Sequence, residues 1–150
     1  MSDDIFDRIR RDHERHRTFL RILEQTHGDS SGRRELFPKL VESVRAHAAA
    51  EERVLYAELL AHPEGRDRAG HSVKEHHEAD AIFEELLQKD YSDTGWLTRF
   101  KTLAEELRHH MKEEEDEVFP LAERLLSERR QREMAEELER AKRDEEARVA

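Results

Sequence analysis

Six residues carry the strongest chemical signal in this sequence: His13, His47, Glu51, His76, His110 and Glu114. His47 and Glu51 stand four apart, as do His110 and Glu114. On a helix that spacing puts both side chains on one face, one turn apart, where they can reach one cation or bridge two. A carboxylate can bridge a pair of cations through its two oxygens, and Glu51 and Glu114 are the best placed to do so. The chain has no cysteine, which excludes disulfides, thiolate metal sites and iron–sulfur clusters. A cation here would bind imidazole, carboxylate and water, a set that favours iron or manganese, with zinc as a further occupant.

These residues need elements to hold them. Breakers fall in three clusters, at residues 27–32, 62–65 and 91–95, each of helix-connection length. Between them the apolar periodicity predicts helices over about 3–26, 33–61, 67–90 and 94–126. Ser92 to Thr94 offer N-cap chemistry for the fourth. Ser127 starts a short fifth helix through Lys142, with Met134 and Leu138 as its only apolar contacts. Short turns between long helices make neighbours antiparallel. The expected fold is all-α: an up-down-up-down four-helix bundle over residues 1–126, packed at crossing angles of about 20°. Residues 127–150 form a helical extension that packs on the bundle or trails from it.

Every helix interrupts an apolar stripe with ionisable groups. The fourth runs Trp96, Phe100, Leu103, Leu107, His110, Glu114, Val118, Leu121 and Leu125. The second runs Leu36, Leu40, Val44, His47, Glu51, Leu55 and Leu59. The third reads Val73, His76, Asp80, Phe83 and Leu87, and the first Ile5 or Phe6, Ile9, His13, His16, Leu20 and Leu23. Burying such groups without partners is costly. One of them alone is most often an ordinary core histidine; four helices doing it together point to a shared cause. His13 lies about 14 residues before the first turn and His47 about 14 after it, while His76 and His110 lie about 15 and 16 from the third, so at roughly 1.5 Å per residue the four share one slab of the bundle.

Two internal echoes accompany this pattern. His47-Ala48-Ala49-Ala50-Glu51-Glu52 followed by Tyr56 parallels His110-Met111-Lys112-Glu113-Glu114-Glu115 followed by Phe119, and Asp12-His13 parallels Glu75-His76. With these residues in order, and with Val118-Phe119-Pro120 after the last, the chain over about 5–126 resembles the hemerythrin-like (HHE cation-binding) family. The resemblance implies a four-helix bundle around a non-haem di-iron centre. It implies that His13 and His47 serve one iron, that His76 and His110 serve the other, and that Glu51 and Glu114 bridge them. Oxygen-carrying members place a second histidine four residues after the first on the third helix; Asp80 stands there in this chain. The resemblance thus implies Asp80 as a further ligand, away from reversible oxygen carriage. It points to relatives that sense iron or oxygen, or that handle peroxide or nitric oxide.

Other residues have blander readings. His77 is the alternative to His76, one step off the stripe, and His109 is likewise off the face of His110. His16 faces inward, as a core histidine or a hydrogen-bond partner of a ligand. His27, His62 and His71 fall at turns or helix starts and read as surface residues. Glu52 and Glu115 point to solvent or to the ligands' far sides, and Tyr56 reads as core packing or as the lining of an access route. A ferritin-like site needs paired Glu-x-x-His motifs. Glu106–His109 and Glu24–His27 have the spacing but leave the stripe. A net charge of −10 repels nucleic-acid phosphate and anionic lipid. The first residues lack the basic flank and apolar run of a signal peptide, and no apolar run approaches the roughly 20 residues of a membrane span. The expectation is a cytoplasmic protein acting on small oxidants or gases: a di-iron protein reacting with them, or a binding module responding to iron or oxygen. A helical interaction domain with incidental histidines is the third reading.

Overall fold

The computed structural model describes residues 3–149, and among them the chain is helical with no strand. Helix α1 is Ile5–Glu24. The second long run is α2 (Ser31–Glu51), a π-helical turn Glu52–Tyr56, and α3 (Ala57–Leu60). The third is α4 (Arg66–Gln88). The fourth is α5 (Trp96–Glu113), a second π-helical turn Glu114–Val118, and α6 (Phe119–Leu125). A final helix, α7, spans Glu128–Val149.

Local chemistry explains the helix ends. Asp4 caps α1, accepting from the Asp7 N–H while the Asp7 side chain accepts from the Asp4 N–H. Ser30 caps α2 through the Arg33 N–H, so this helix begins two residues earlier than its apolar pattern does. The Ser92–Thr94 cap does not form: α5 begins at Trp96, and Asp93 instead accepts from the Gly95 N–H within the turn. Gly28 turns the first connection with a φ of +56°, in the left-handed region. Gly65 packs so closely on the second run that a Cβ there would stand 2.6 Å from the Leu59 carbonyl oxygen.

Two apolar cores fill the bundle. One joins Leu20, Leu23, Phe37, Leu40, Phe83, Leu86, Trp96, Phe100 and Leu103. The other joins Ile5, Phe6, Ile9, Leu55, Tyr56, Leu59, Val118 and Phe119 with Met134, Leu138 and Ala141 of α7. The last helix is therefore longer than the 127–142 segment expected, and Ala135 and Ala141 are buried along it beside Met134 and Leu138.

The stripe of α1 falls where the periodicity puts it. In α2 Leu40, His47 and Glu51 are buried as expected, but Phe37 and Val41 are buried while Leu36 and Val44 are only half-buried. Two others shift by one residue. In α4 the buried positions are Ala69, Ser72, Ala79, Ile82, Phe83 and Leu86, so Leu87 is left 40% exposed. After Glu114 the buried positions are Val118, Phe119 and Ala122, while Leu121 and Leu125 are only half-buried. The π turn causes this second shift, because it holds one more residue than an α turn and advances the inner face. No helix among the described residues is long and apolar enough to cross a membrane.

Candidate metal centre

Between the two cores lies a layer of buried ionisable groups: His13, His16, His47, Glu51, His110 and Glu114, with Asp12 beside them. His76, on α4, joins them with a side chain 9% exposed. Their side chains form two groups in which donor atoms converge within 4.8 Å of one another. One is His13, His47, Glu51 and Glu114; the other is Glu51, His76, His110 and Glu114. The two carboxylates are common to both. Glu51 Oε1 lies 3.3 Å from His47 Nε2 and 3.2 Å from His76 Nε2. Glu114 lies 2.9 Å from His13 Nε2 through Oε1 and 3.7 Å from His110 Nε2 through Oε2.

Each imidazole is aimed by a carboxylate on its far side. Nδ1 of His13 lies 2.6 Å from Glu115, that of His47 2.7 Å from Asp12, that of His76 2.8 Å from Glu52, and that of His110 2.9 Å from Glu75. An Nδ1–H that donates to carboxylate leaves the Nε2 lone pair facing inward, the tautomer a metal ligand needs. The two sequence echoes now have a cause. The acid before the histidine on α1 or α4 orients the histidine of the partner helix, and the second glutamate after each His-to-Glu pair orients the histidine on α1 or α4.

The interior of this layer is unsatisfied by protein alone. His13 Nε2, His47 Nε2, both oxygens of Glu51 and Glu114 Oε1 are buried without a hydrogen-bond partner. His76 Nε2 and His110 Nε2 face one another at 3.1 Å. Orphaned buried groups of this kind are rare and costly. Four inward imidazoles and two carboxylates make a sulfur-free donor set, so the residues present fit a metal centre.

The charges are correspondingly displaced. Burial pushes the Glu114 carboxyl well above the usual carboxylate range, and the Glu51 charge beside it adds to this. Burial also opposes ionisation of Glu51, but His47 and His76 outweigh it and keep that carboxyl well below its ordinary value. Burial disfavours a proton on His47, yet Glu51 and Asp12 raise its pKa to about 10. The hydrogen bond from His13, with Arg17 on the other side, holds Glu115 at about 2.

Asp80 is not brought into the layer. It accepts from Arg45 Nε at 2.6 Å with its side chain 45% exposed, because Ala79, rather than Asp80, occupies the inner face of α4. His77 is exposed beside it. His16 is buried against Ser43 Oγ at 2.9 Å and meets the His47 ring edge-on. Tyr56 reaches further than packing requires: its hydroxyl donates to Glu114 Oε2. The equivalent aromatic of the other half, Phe119, stacks on His13 and brings no hydroxyl. The π turn before Tyr56 rotates it onto the inner face, and no periodic signal in the sequence marks that turn. Lys142 of α7 is a second unforeseen participant, donating to Asp12 Oδ1 at 2.9 Å while Asp12 Oδ2 holds His47.

A chamber of about 20 Å³ adjoins the layer, lined among others by His13, His47, Ala48, His76, Leu107 and His110. A wider pocket of about 200 Å³, sharing Ala48, His76 and His110, opens beside it between Arg45, His77 and Asp80.

No match to the chain was found among curated proteins. Among solved structures, a hemerythrin HHE cation binding domain-containing protein from Mycobacterium kansasii is similar in fold. The TM-score is 0.85 at 18% identity, covering 97% of this chain and 88% of that one. The family model described as the hemerythrin HHE cation binding domain matches residues 4–122. With that match over most of its length, the chain belongs to the hemerythrin HHE cation-binding family.

Proposed function

We propose that this protein holds a non-haem di-iron centre and uses it to react with small oxidants such as dioxygen, peroxide or nitric oxide. The observation that carries the reading is the pair of donor groups sharing Glu51 and Glu114. His13 and His47 would bind one ion, His76 and His110 the other, and the two glutamates would bridge them. Iron, with manganese or zinc as alternatives, suits a sulfur-free set of imidazole and carboxylate. Bound there, the metal pair would supply redox chemistry toward the oxidant. The chain's own residues orient the imidazoles, exclude bulk water and limit access. The chamber of about 20 Å³ has room for about one water-sized group, which selects for reactants of a few atoms. Asp80, paired with Arg45, stands at the outer pocket rather than among the ligands.

A non-enzymatic iron- or oxygen-responsive module is the second reading, and the Lys142–Asp12–His47 chain favours it. That chain links α7 directly to a ligand, so a change in metal load has a route to the last helix.

The deciding experiment is metal analysis after reconstitution with ferrous iron under argon, followed by air. Near two irons per chain with an azide-sensitive charge-transfer band is expected, on the basis of the two donor groups. His110→Ala should lose iron and His27→Ala should keep it. Iron retained equally by both variants would sink the ligand assignment. Peroxide consumption by the loaded protein would identify the reactive role; load-dependent partner binding without turnover would identify the responsive one.

A further inference from the structure

Outside the buried layer, α4 and α5 present a second convergence of histidine and glutamate. His71 and Glu75 are four apart on α4, and His109 and Glu113 four apart on α5. His71 Nε2 lies 3.3 Å from Glu75 Oε2 and 3.2 Å from Glu113 Oε1. His109 Nε2 lies 3.2 Å from Glu113 Oε2 and 4.0 Å from Glu75 Oε2. His71, Glu75 and Glu113 each bring a donor atom within 4.8 Å of the others, and His109 stands at the rim of that group.

Two further observations set this cluster apart from ordinary surface pairs. Glu113 Oε2 is buried without a hydrogen-bond partner, while Arg68 serves the other oxygen, donating to Glu113 Oε1 at 2.8 Å. The second comes from the internal symmetry. Asp12 and Glu75 are equivalent residues, each holding a buried histidine through one oxygen. The other oxygen of Asp12 takes the ammonium of Lys142. The other oxygen of Glu75 meets no lysine or arginine among the described residues; it faces His71 and His109. One half of the molecule carries a built-in cation at this position, and the other half carries ligands.

We propose that His71, Glu75 and Glu113, with His109 at the rim, form a second, surface metal site for a single divalent ion of the zinc, nickel or copper class. Imidazole with carboxylate suits these ions, and the exposure of His71 and His109 keeps the site open to exchange. The site does not depend on what occupies the buried layer. Glu75 nevertheless links the two, since its Oε1 accepts from His110 Nδ1.

The test is calorimetric titration of the iron-reconstituted chain with zinc chloride, alongside a His71→Ala/His109→Ala double variant. Both histidines are largely solvent-facing, so the variant should fold, and its metal-free melting curve should overlay the parent's. The parent is expected to bind about one zinc equivalent more than the variant, with iron content equal in the two proteins. Equal zinc stoichiometry and affinity in both would overturn the proposal and leave the four residues as ordinary imidazolium–carboxylate pairs. Iron content is read separately, so absence of iron from both proteins would count against the di-iron reading without touching the zinc comparison.

Discussion

His13 and Glu115 show how the site is held at the residue scale. The 2.6 Å contact at Nδ1 fixes both the tautomer and the tilt of the ring, and Arg17 anchors the carboxylate from behind at 3.1 Å. Glu115→Gln keeps an acceptor but loses the charge, so the imidazole becomes a weaker donor to metal. Iron affinity is expected to fall by roughly 10–100-fold, read by competition with a chelator, with little change in far-UV circular dichroism. An unchanged affinity would mean that packing alone aims the ring. The four inward histidines and two glutamates are readable in the sequence because each replaces an apolar residue in a stripe. Their four carboxylate partners are less so, because Asp12, Glu52, Glu75 and Glu115 stand among many surface acids and only the folded chain pairs each with a ring. Tyr56 is invisible for a different reason: an aromatic on the second helix looks like any other core residue until the backbone widens beneath Glu51.

At the scale of elements, α1 is read without error because Ile5, Phe6, Ile9, His13, His16, Leu20 and Leu23 leave one face to choose. The third long run is harder. Its inner face is Ala69, Ser72, Ala79, Ile82, Phe83 and Leu86, and in its first half only small or polar residues mark it, so the neighbouring line through Val73, Asp80 and Leu87 looks as good. That near-degeneracy placed Asp80 on the inward line, and the resemblance, by its position four residues after His76, made it a ligand. Helix α7 illustrates the converse. Few apolar residues suffice, because Met134 and Leu138 are fully buried in the core beneath the metal layer and Lys142 reaches Asp12. Leu138→Ala is expected to cost about 2–5 kcal/mol in urea unfolding, through the lost burial and the cavity left behind. A cost near that of an exposed site, below about 0.5 kcal/mol, would show that α7 is only loosely attached.

At the scale of the whole molecule, the buried charge of the metal-free layer sets a pH dependence. His47 has a folded pKa raised to about 10, so it holds a proton at neutral pH when no metal is bound. The stability this group contributes to the metal-free protein is fully present below its ordinary pKa of about 6.5 and is lost as pH rises toward 10. Metal binding runs the other way, because it needs the neutral ring. Loading at pH 7 should therefore release protons, measurable with an indicator dye in weak buffer, and affinity should fall as pH drops. Loading without proton release would contradict the assignment of His47 as a ligand. The acidic exterior, by contrast, follows from composition alone, as does the absence of thiolate chemistry.

The two π-helical turns, Glu52–Tyr56 and Glu114–Val118, act on the molecule as a pair of phase shifters. Each adds a residue beside Glu51 or Glu114, so the inner face of the helix beyond the buried layer is offset by a fixed angle from the face before it. Removing one residue from either turn would cancel that offset. It would rotate every downstream inward side chain by about 100° and empty one core while leaving the other intact.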